Sequence, residues 1–392
     1  MVLFKLAYRN IKGAGVRTWL NVIVLSLAFV LIIYLQGLYE GIANQNINIS
    51  VDTHYGGGQL WSPDYDPYDR LTLQDAPSTI PKELKALVEA GRATPMLIYP
   101  GAMYPKGLMQ SVKLRGMPRT QKIVNLPTSY LAIKEDGTLP VVIGARFAES
   151  LKIADGETFT LQWRDRRGTY DAVEAQVVHI METPNNLLDK GNLWIDLTLL
   201  REMTGLPNAA TYLILEQDFP AEQVPITDWV YKSVHDLSAD VRAFVAAKSS
   251  GSTFMYVFLL ALALLAIFDT QVLALWRRRK EMGTLMALGM TRSKLIQLFT
   301  LEGSLHGILA AILAMLWGGP LLYWQATAGF TIPYDEDMIG FLMPETILPT
   351  YGLGLILTTT LITLAAVTVV SWLPVRKLAK LRPTDALRGK MS

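Results

Sequence analysis

The sequence predicts an α-helical membrane protein with four transmembrane helices and a large α+β extracytoplasmic domain inserted between helices one and two. Three observations carry this. Hydrophobic residues make up 51% of the 392-residue chain and charged ones only 18%, a balance displaced from the soluble average towards a membrane. Four apolar stretches, Trp19 to Leu38, Phe254 to Trp276, Leu298 to Trp324 and Tyr351 to Leu373, are each long enough for the roughly 20 helical residues that a hydrocarbon core demands. The residues between the first two stretches have an ordinary soluble composition.

The elements come in order. Residues 1–17 set Leu3, Phe4, Ala7 and Ile11 against Lys5, Arg9 and Lys12, the pattern of a cytoplasmic amphipathic helix lying in the membrane interface. Residues 18–38 are the first span, read as retained because no small-residue cleavage site follows it. Residues 39–252 hold a stalk and the external domain, and 253–276 the second span. A cytoplasmic loop, 277–297, leads to the third span, 298–324. A short external loop, 325–350, precedes the fourth span, 351–373, and the tail is 374–392. Gly and Thr inside these spans are compatible with helix, since no water competes there for the backbone bonds.

Basic residues set the orientation. Lys5, Arg9, Lys12 and Arg17 precede the first span; Arg277, Arg278, Arg279, Lys280, Arg292 and Lys294 separate the second from the third; Arg376, Lys377, Lys380, Arg382, Arg388 and Lys390 follow the fourth. The 325–350 loop has no Lys or Arg and carries Asp335, Glu336, Asp337 and Glu345. Both termini are therefore expected in the cytoplasm and the large domain outside. That domain is mildly acidic, with 20 of the 36 basic and 26 of the 34 acidic residues lying between 39 and 250.

Within the domain, alternation such as Thr158-Phe159-Thr160-Leu161-Gln162-Trp163 predicts half-buried strands, introduced by the Asp155-Gly156 turn. The runs around GGGQLW, VVIG, TYDAVEAQVVHIME and GNLWIDL read likewise. Residues 81–91 and 145–153 have helical apolar spacing. Residues 39–50 and 237–252 are expected to prolong the first two spans as a stalk. The apolar and aromatic residues of 55–68 and 96–109 are read as core and loop anchors.

Several chemistries are excluded. The chain has no cysteine, hence no disulfide, thiolate metal site or catalytic thiol. His54, His179, His235 and His306 contain no i, i+4 pair, so no histidine metal site is expected. No Ser/His/Asp constellation stands out, and no nucleic-acid partner is predicted. Inside the spans, Asp269, Glu302 and His306 are the ionisable groups that matter. Without further such groups across the bilayer they read as bonds between helices rather than a proton relay. Gly303, Gly307, Ala311, Ala314 and Gly318 form a small-residue stripe that permits close helix packing.

The 277–297 loop combines a basic run with an apolar series, Met282, Leu285, Met286, Leu288 and Leu295, interrupted by Gly283 and Gly289. A short helix on the membrane surface, offering its tip to a cytoplasmic partner, satisfies both features.

The motifs LAYRNIKGAGVRTWLNV, GGGQLWSPDYD, LPVVIGARFAESLKIADGETFTL, WRRRKEMGTLMALGMTRSKLIQLFTLEG and LPVRKLAKLRPTDALRG resemble ABC transporter permeases of the MacB/FtsX/LolC-LolE class, the type VII or mechanotransmission permeases. The second and third motifs resemble its lipoprotein-release branch. The resemblance implies a MacB-like external core domain. It also implies a coupling helix contacting an ATPase through Glu281, Met282, Gly283, Thr284, Leu285, Ala287, Leu288, Gly289 and Thr291. It implies a second permease, identical or related, and a cytoplasmic ABC ATPase dimer that binds ATP and Mg²⁺. The chain itself has no G-x-x-x-x-G-K-[ST] loop, so it is expected to bind no cofactor and not to be an enzyme. The expected setting is a bacterial inner membrane, with membrane lipids, lipoprotein cargo, and a periplasmic chaperone or adaptor as partners. The chaperone-recruiting hairpin of the branch is short here, at 162–170. The expected function is ATP-driven extraction or release of lipoproteins or another amphipathic substrate. Efflux of peptides or antibiotics with an adaptor, and FtsX-like signalling to an external hydrolase, share the architecture.

Overall fold

A computed structural model describes residues 16–69, 72–132, 137–183, 186–331 and 346–378. Residues 1–15 of the expected interfacial helix, the acidic residues Asp335, Glu336, Asp337 and Glu345, and the tail beyond 378 lie outside the described residues. The chain divides into two compact units, one built from the spans and one from the inserted segment.

Helix α1 is Val16–Ser50 and passes into a π-helical turn, Val51–Tyr55. No proline interrupts it, so the expected continuation beyond Leu38 is one unbroken helix. Then come β1 (Gln59–Trp61), β2 (Ser78–Thr79), α2 (Lys82–Glu89), β3 (Ala93–Tyr104), β4 (Gln110–Met117), β5 (Leu139–Gly144) and α3 (Ala145–Leu151). They are followed by β6 (Thr158–Arg164), β7 (Tyr170–Met181), α4 (Asn186–Asp189), β8 (Asn192–Asp196), α5 (Leu197–Thr204), β9 (Ala209–Ala210), β10 (Tyr212–Leu215), β11 (Val230–Lys232) and α6 (Val234–Leu237). The remainder is α7 (Ala239–Arg277), α8 (Arg279–Ala287), α9 (Arg292–Ala328), the paired β12 (Phe330–Thr331) and β13 (Thr346–Ile347), and α10 (Leu353–Leu378).

In the inserted unit, strands pair in the order β11-β1-β10-β3-β4-β8-β5-β7-β6, and β3 also pairs with β6, so six strands close on themselves. The long β3 makes this closure: its first residues pair with β10, and Gly101 to Met103 pair with β4 on one side and β6 on the other. Closure removes open strand edges. Leu97, Tyr99, Leu114, Val141, Ile143, Leu161, Val177 and Ile195 are buried inside, with Leu197 and Leu200 of α5. The β6 alternation appears as a strict exposed–buried pattern up to Leu161. Strands β3 and β4 were not expected: the 96–109 residues read as core and loop anchors are mostly strand. Met96 to Tyr99 and Met103 are core, while Leu108 and Met109 are exposed in the turn. The β6–β7 turn is a tight one, closed by Asp165 N to Thr169 O at 2.8 Å and Thr169 N to Asp165 Oδ1 at 2.7 Å.

Among the described residues, the other unit has four helices long and apolar enough to cross a membrane, α1, α7, α9 and α10. Val22, Leu25, Phe29, Ile33, Ala263, Ile267, Ala310, Ala314 and Val367 form its core. Polar pairs tie helix to helix: Asn21 Nδ2 donates to Thr270 Oγ1 at 2.6 Å, Thr359 Oγ1 to Gln36 Oε1 at 2.9 Å, and Trp317 Nε1 to Ser26 Oγ at 3.3 Å. Within apolar surroundings such bonds contribute more by direction than by strength, about 1 kcal/mol each. Replacing Asn21 by Leu should therefore lower the thermal midpoint in detergent by only a few degrees, measured by tryptophan fluorescence; a collapse of the fold would show that this bond carries far more than its class.

Candidate functional site

The cytoplasmic side of the helical unit is built around a break in the chain. Helix α7 ends at Arg277, Arg278 bends the backbone with φ −96° and ψ 11°, and α8 begins at Arg279. Helix α8 closes at Ala287, Gly289 takes φ +95°, where a Cβ would be strained, and Thr291 caps α9 by accepting from Lys294 N at 3.4 Å. Thr291 thus belongs to the start of α9. Gly283, expected as an interruption, is buried inside α8 and does not break the helix.

One side of α8 is anchored. Met282 is buried with Leu275 of α7, Leu295 and Phe299 of α9 and Val375 of α10, and Leu285, Met286 and Met290 pack against them. The other side is open: Lys280, Glu281, Thr284, Ala287, Leu288 and Gly289 are exposed, Leu288 at 81%. Glu281, Thr284 and Leu288 recur at helical spacing and share a face. The result is a short rigid helix presenting one apolar side chain between charged neighbours.

A charge cluster stands beside it. Arg278 Nη1 donates to Glu302 Oε1 at 2.9 Å and Oε2 at 3.1 Å, and Arg278 Nε donates to Glu281 Oε2 at 2.8 Å. The guanidinium also lies 5.1 Å from the Phe299 ring centroid. The Glu302 side chain is 11% exposed, and the Arg278 guanidinium supplies an opposite charge beside it. His306 donates from Nδ1 to the Glu302 backbone carbonyl at 2.8 Å. Asp269 does not join the cluster; it is exposed on α7, and among the described residues none forms an ion pair or hydrogen bond with it. Reading Arg277–Lys280 as a topology marker and as the flank of a surface helix did not single out Arg278. The signal was Glu302, a carboxylate at span depth that requires a cation.

The small-residue stripe faces three helices. A Cβ on Gly303 would lie 2.2 Å from Ser371 Oγ and 2.7 Å from Gln271 Nε2, one on Gly307 3.0 Å from Leu364, and one on Gly318 2.2 Å from Val30. Ala314 is buried, while Ala311 is half-buried and Ala310 is fully buried in its stead. The 3.6-residue period moves the contact line by one residue there.

Among its described residues, the inserted unit has no comparable gathering of groups. Arg115 is buried and donates to Asn192 Oδ1 at 2.7 Å and to the Tyr212 hydroxyl at 3.4 Å, and burial pushes the Tyr212 phenol well above its usual range. These bonds satisfy a core arginine. Two open clefts, of about 730 and 470 Å³, are lined by Phe147 with Lys113 and Lys190, and by Asn125 with His179 and Glu182. Among the described residues, no group of three or more His, Asp or Glu is placed to hold a metal ion.

The decisive match covers α8, its charge cluster and the stripe together. Residues 253–383 match the FtsX-like permease C-terminal family. The FtsX-like segment thus begins in α7, takes in Arg278, Glu302 and Gly318, and reaches past α10. In structure the chain is similar to the extracellular domain of the noncanonic ABC-type transporter YknZ from Gram-positive bacteria, with 13% identity, 42% of this chain and 84% of that chain covered, and a TM-score of 0.27. No curated protein matches the chain. The FtsX-like segment therefore carries the relationship.

Proposed function

We propose that the protein is the permease subunit of an ABC-type transporter in a bacterial inner membrane, with both termini cytoplasmic and the inserted domain outside. Helix α8 is the coupling helix. It docks on a separate cytoplasmic ATPase dimer, which supplies the ATP and Mg²⁺ sites, and a second permease, identical or related, completes the assembly. The observation that carries this reading is the exposed Glu281–Thr284–Leu288 face on a helix whose opposite side packs against three spans, inside the FtsX-like segment.

The unbroken helices α1 and α7 would carry ATPase movement to the external domain. The work done there is extraction or release of lipoproteins or another amphipathic substrate. The spans support a route beside the bilayer rather than through it, because their described charges end in the Arg278–Glu302 pair and an exposed Asp269.

The test is copurification of the tagged chain with its ATPase. Leu288→Asp puts a charge where an apolar tip must desolvate, and it should weaken capture by about tenfold or more while leaving the thermal midpoint unchanged. Undiminished capture would remove the coupling assignment from α8.

A further inference from the structure

We propose that Arg278 is a positioning residue, a latched hinge that makes α8 and α9 move together; this rests on the permease reading above. Arg278 is the residue at which the backbone bends between α7 and α8. Its side chain holds the first turn of α8, just beyond the bend, through Glu281, and it holds the third span through Glu302. A bend of this kind in isolation would absorb a push on α8. With the guanidinium bridging Glu281 and Glu302 over the Phe299 ring, the push passes into α9.

The apolar contacts of α8 are centred on Met282, with Leu285 and Met286 packed beside it. Methionine adapts to many arrangements, so these contacts hold α8 to the bundle without fixing its angle. The ion pair has direction: two of its three bonds reach one carboxylate, and that carboxylate is nearly buried. Opening the latch costs Glu302 its bidentate guanidinium partner in a poorly solvated place, which favours the closed arrangement.

Full-length protein in nanodiscs tests the proposal in two ways. Without any partner, backbone hydrogen exchange over 279–290 should accelerate by about tenfold or more in Arg278→Gln and Glu302→Gln. Arg278→Lys should restore part of the protection, and the exchange of both charges, Arg278→Glu with Glu302→Arg, more of it. With the ATPase subunit added, the Gln variants should bind it within about twofold of wild type, since the docking face is intact, yet lose about tenfold or more of the ATP-driven distance change read by spin labels in the inserted domain. Unchanged exchange in both Gln variants would overturn the latch. Accelerated exchange with an undiminished ATP response would overturn the positioning role. Failure of wild type to bind any ATPase would instead sink the permease reading, and the exchange measurement would still decide the latch.

Discussion

Gly303→Leu should cost the helical unit about 3 kcal/mol or more, the upper end of what overpacking does. A side chain at 303 begins 2.2 Å from Ser371 Oγ on α10 and 2.7 Å from Gln271 Nε2 on α7. Neither neighbour can simply retreat, because both residues are buried. Membrane helices lack a hydrophobic force to hold them together, so packing lost here is not replaced. The measurable result is a thermal midpoint in detergent lowered by roughly 10 °C and a fall in monodisperse yield. Gly319→Ala is the matched control: nothing lies within 4 Å of a Cβ at that position. An unchanged midpoint for Gly303→Leu would mean that α9 does not approach its neighbours closely.

Asp189→Ala should produce the largest loss in the inserted unit. The Asp189 side chain is 1% exposed and accepts from Phe147 N at 3.0 Å and Arg146 N at 3.2 Å, with the Arg146 guanidinium at 3.7 Å. It thus caps the first turn of α3, whose starting amides have no helical partner. Removing the carboxylate leaves two amides unsatisfied in a crowded place, where even a Cβ on Gly144 would press against Asp189. We expect a loss of about 3 kcal/mol, summing a cap and an unpaired buried group. Urea titration of the full chain, followed by tryptophan fluorescence, should show the earlier of two transitions moving to lower denaturant. Asp189→Asn, which keeps an acceptor oxygen, should recover part of the loss.

The helical unit was legible in the sequence because long apolar runs have few alternative meanings. The inserted unit was half legible. Strand β6 announced itself by alternation, since one face is buried and the other wet. Strands β3 and β4 did not, because Ala93 to Tyr99 are buried on both faces and show no alternation. Pro95, Pro100 and Gly101 also look like loop punctuation. The exposed tip of α8 could be anticipated from its flanking charges. The role of Arg278 could not be read from a run of four basic residues, since what singles it out is Glu302, 24 positions away. Asp269 shows the converse: a carboxylate expected to find a partner sits exposed within its own chain.

The proposed docking brings the Glu281–Thr284–Leu288 face of α8 against an ATPase. The most direct measurement places a photo-activated benzophenone side chain at Leu288, irradiates membranes of the source cell, and identifies the adduct by mass spectrometry. One dominant adduct is expected, with a nucleotide-binding ABC subunit, absent when the same probe replaces Met315, which is exposed on the α9 span. Adducts only with lipid, or with no nucleotide-binding protein among them, would contradict the docking.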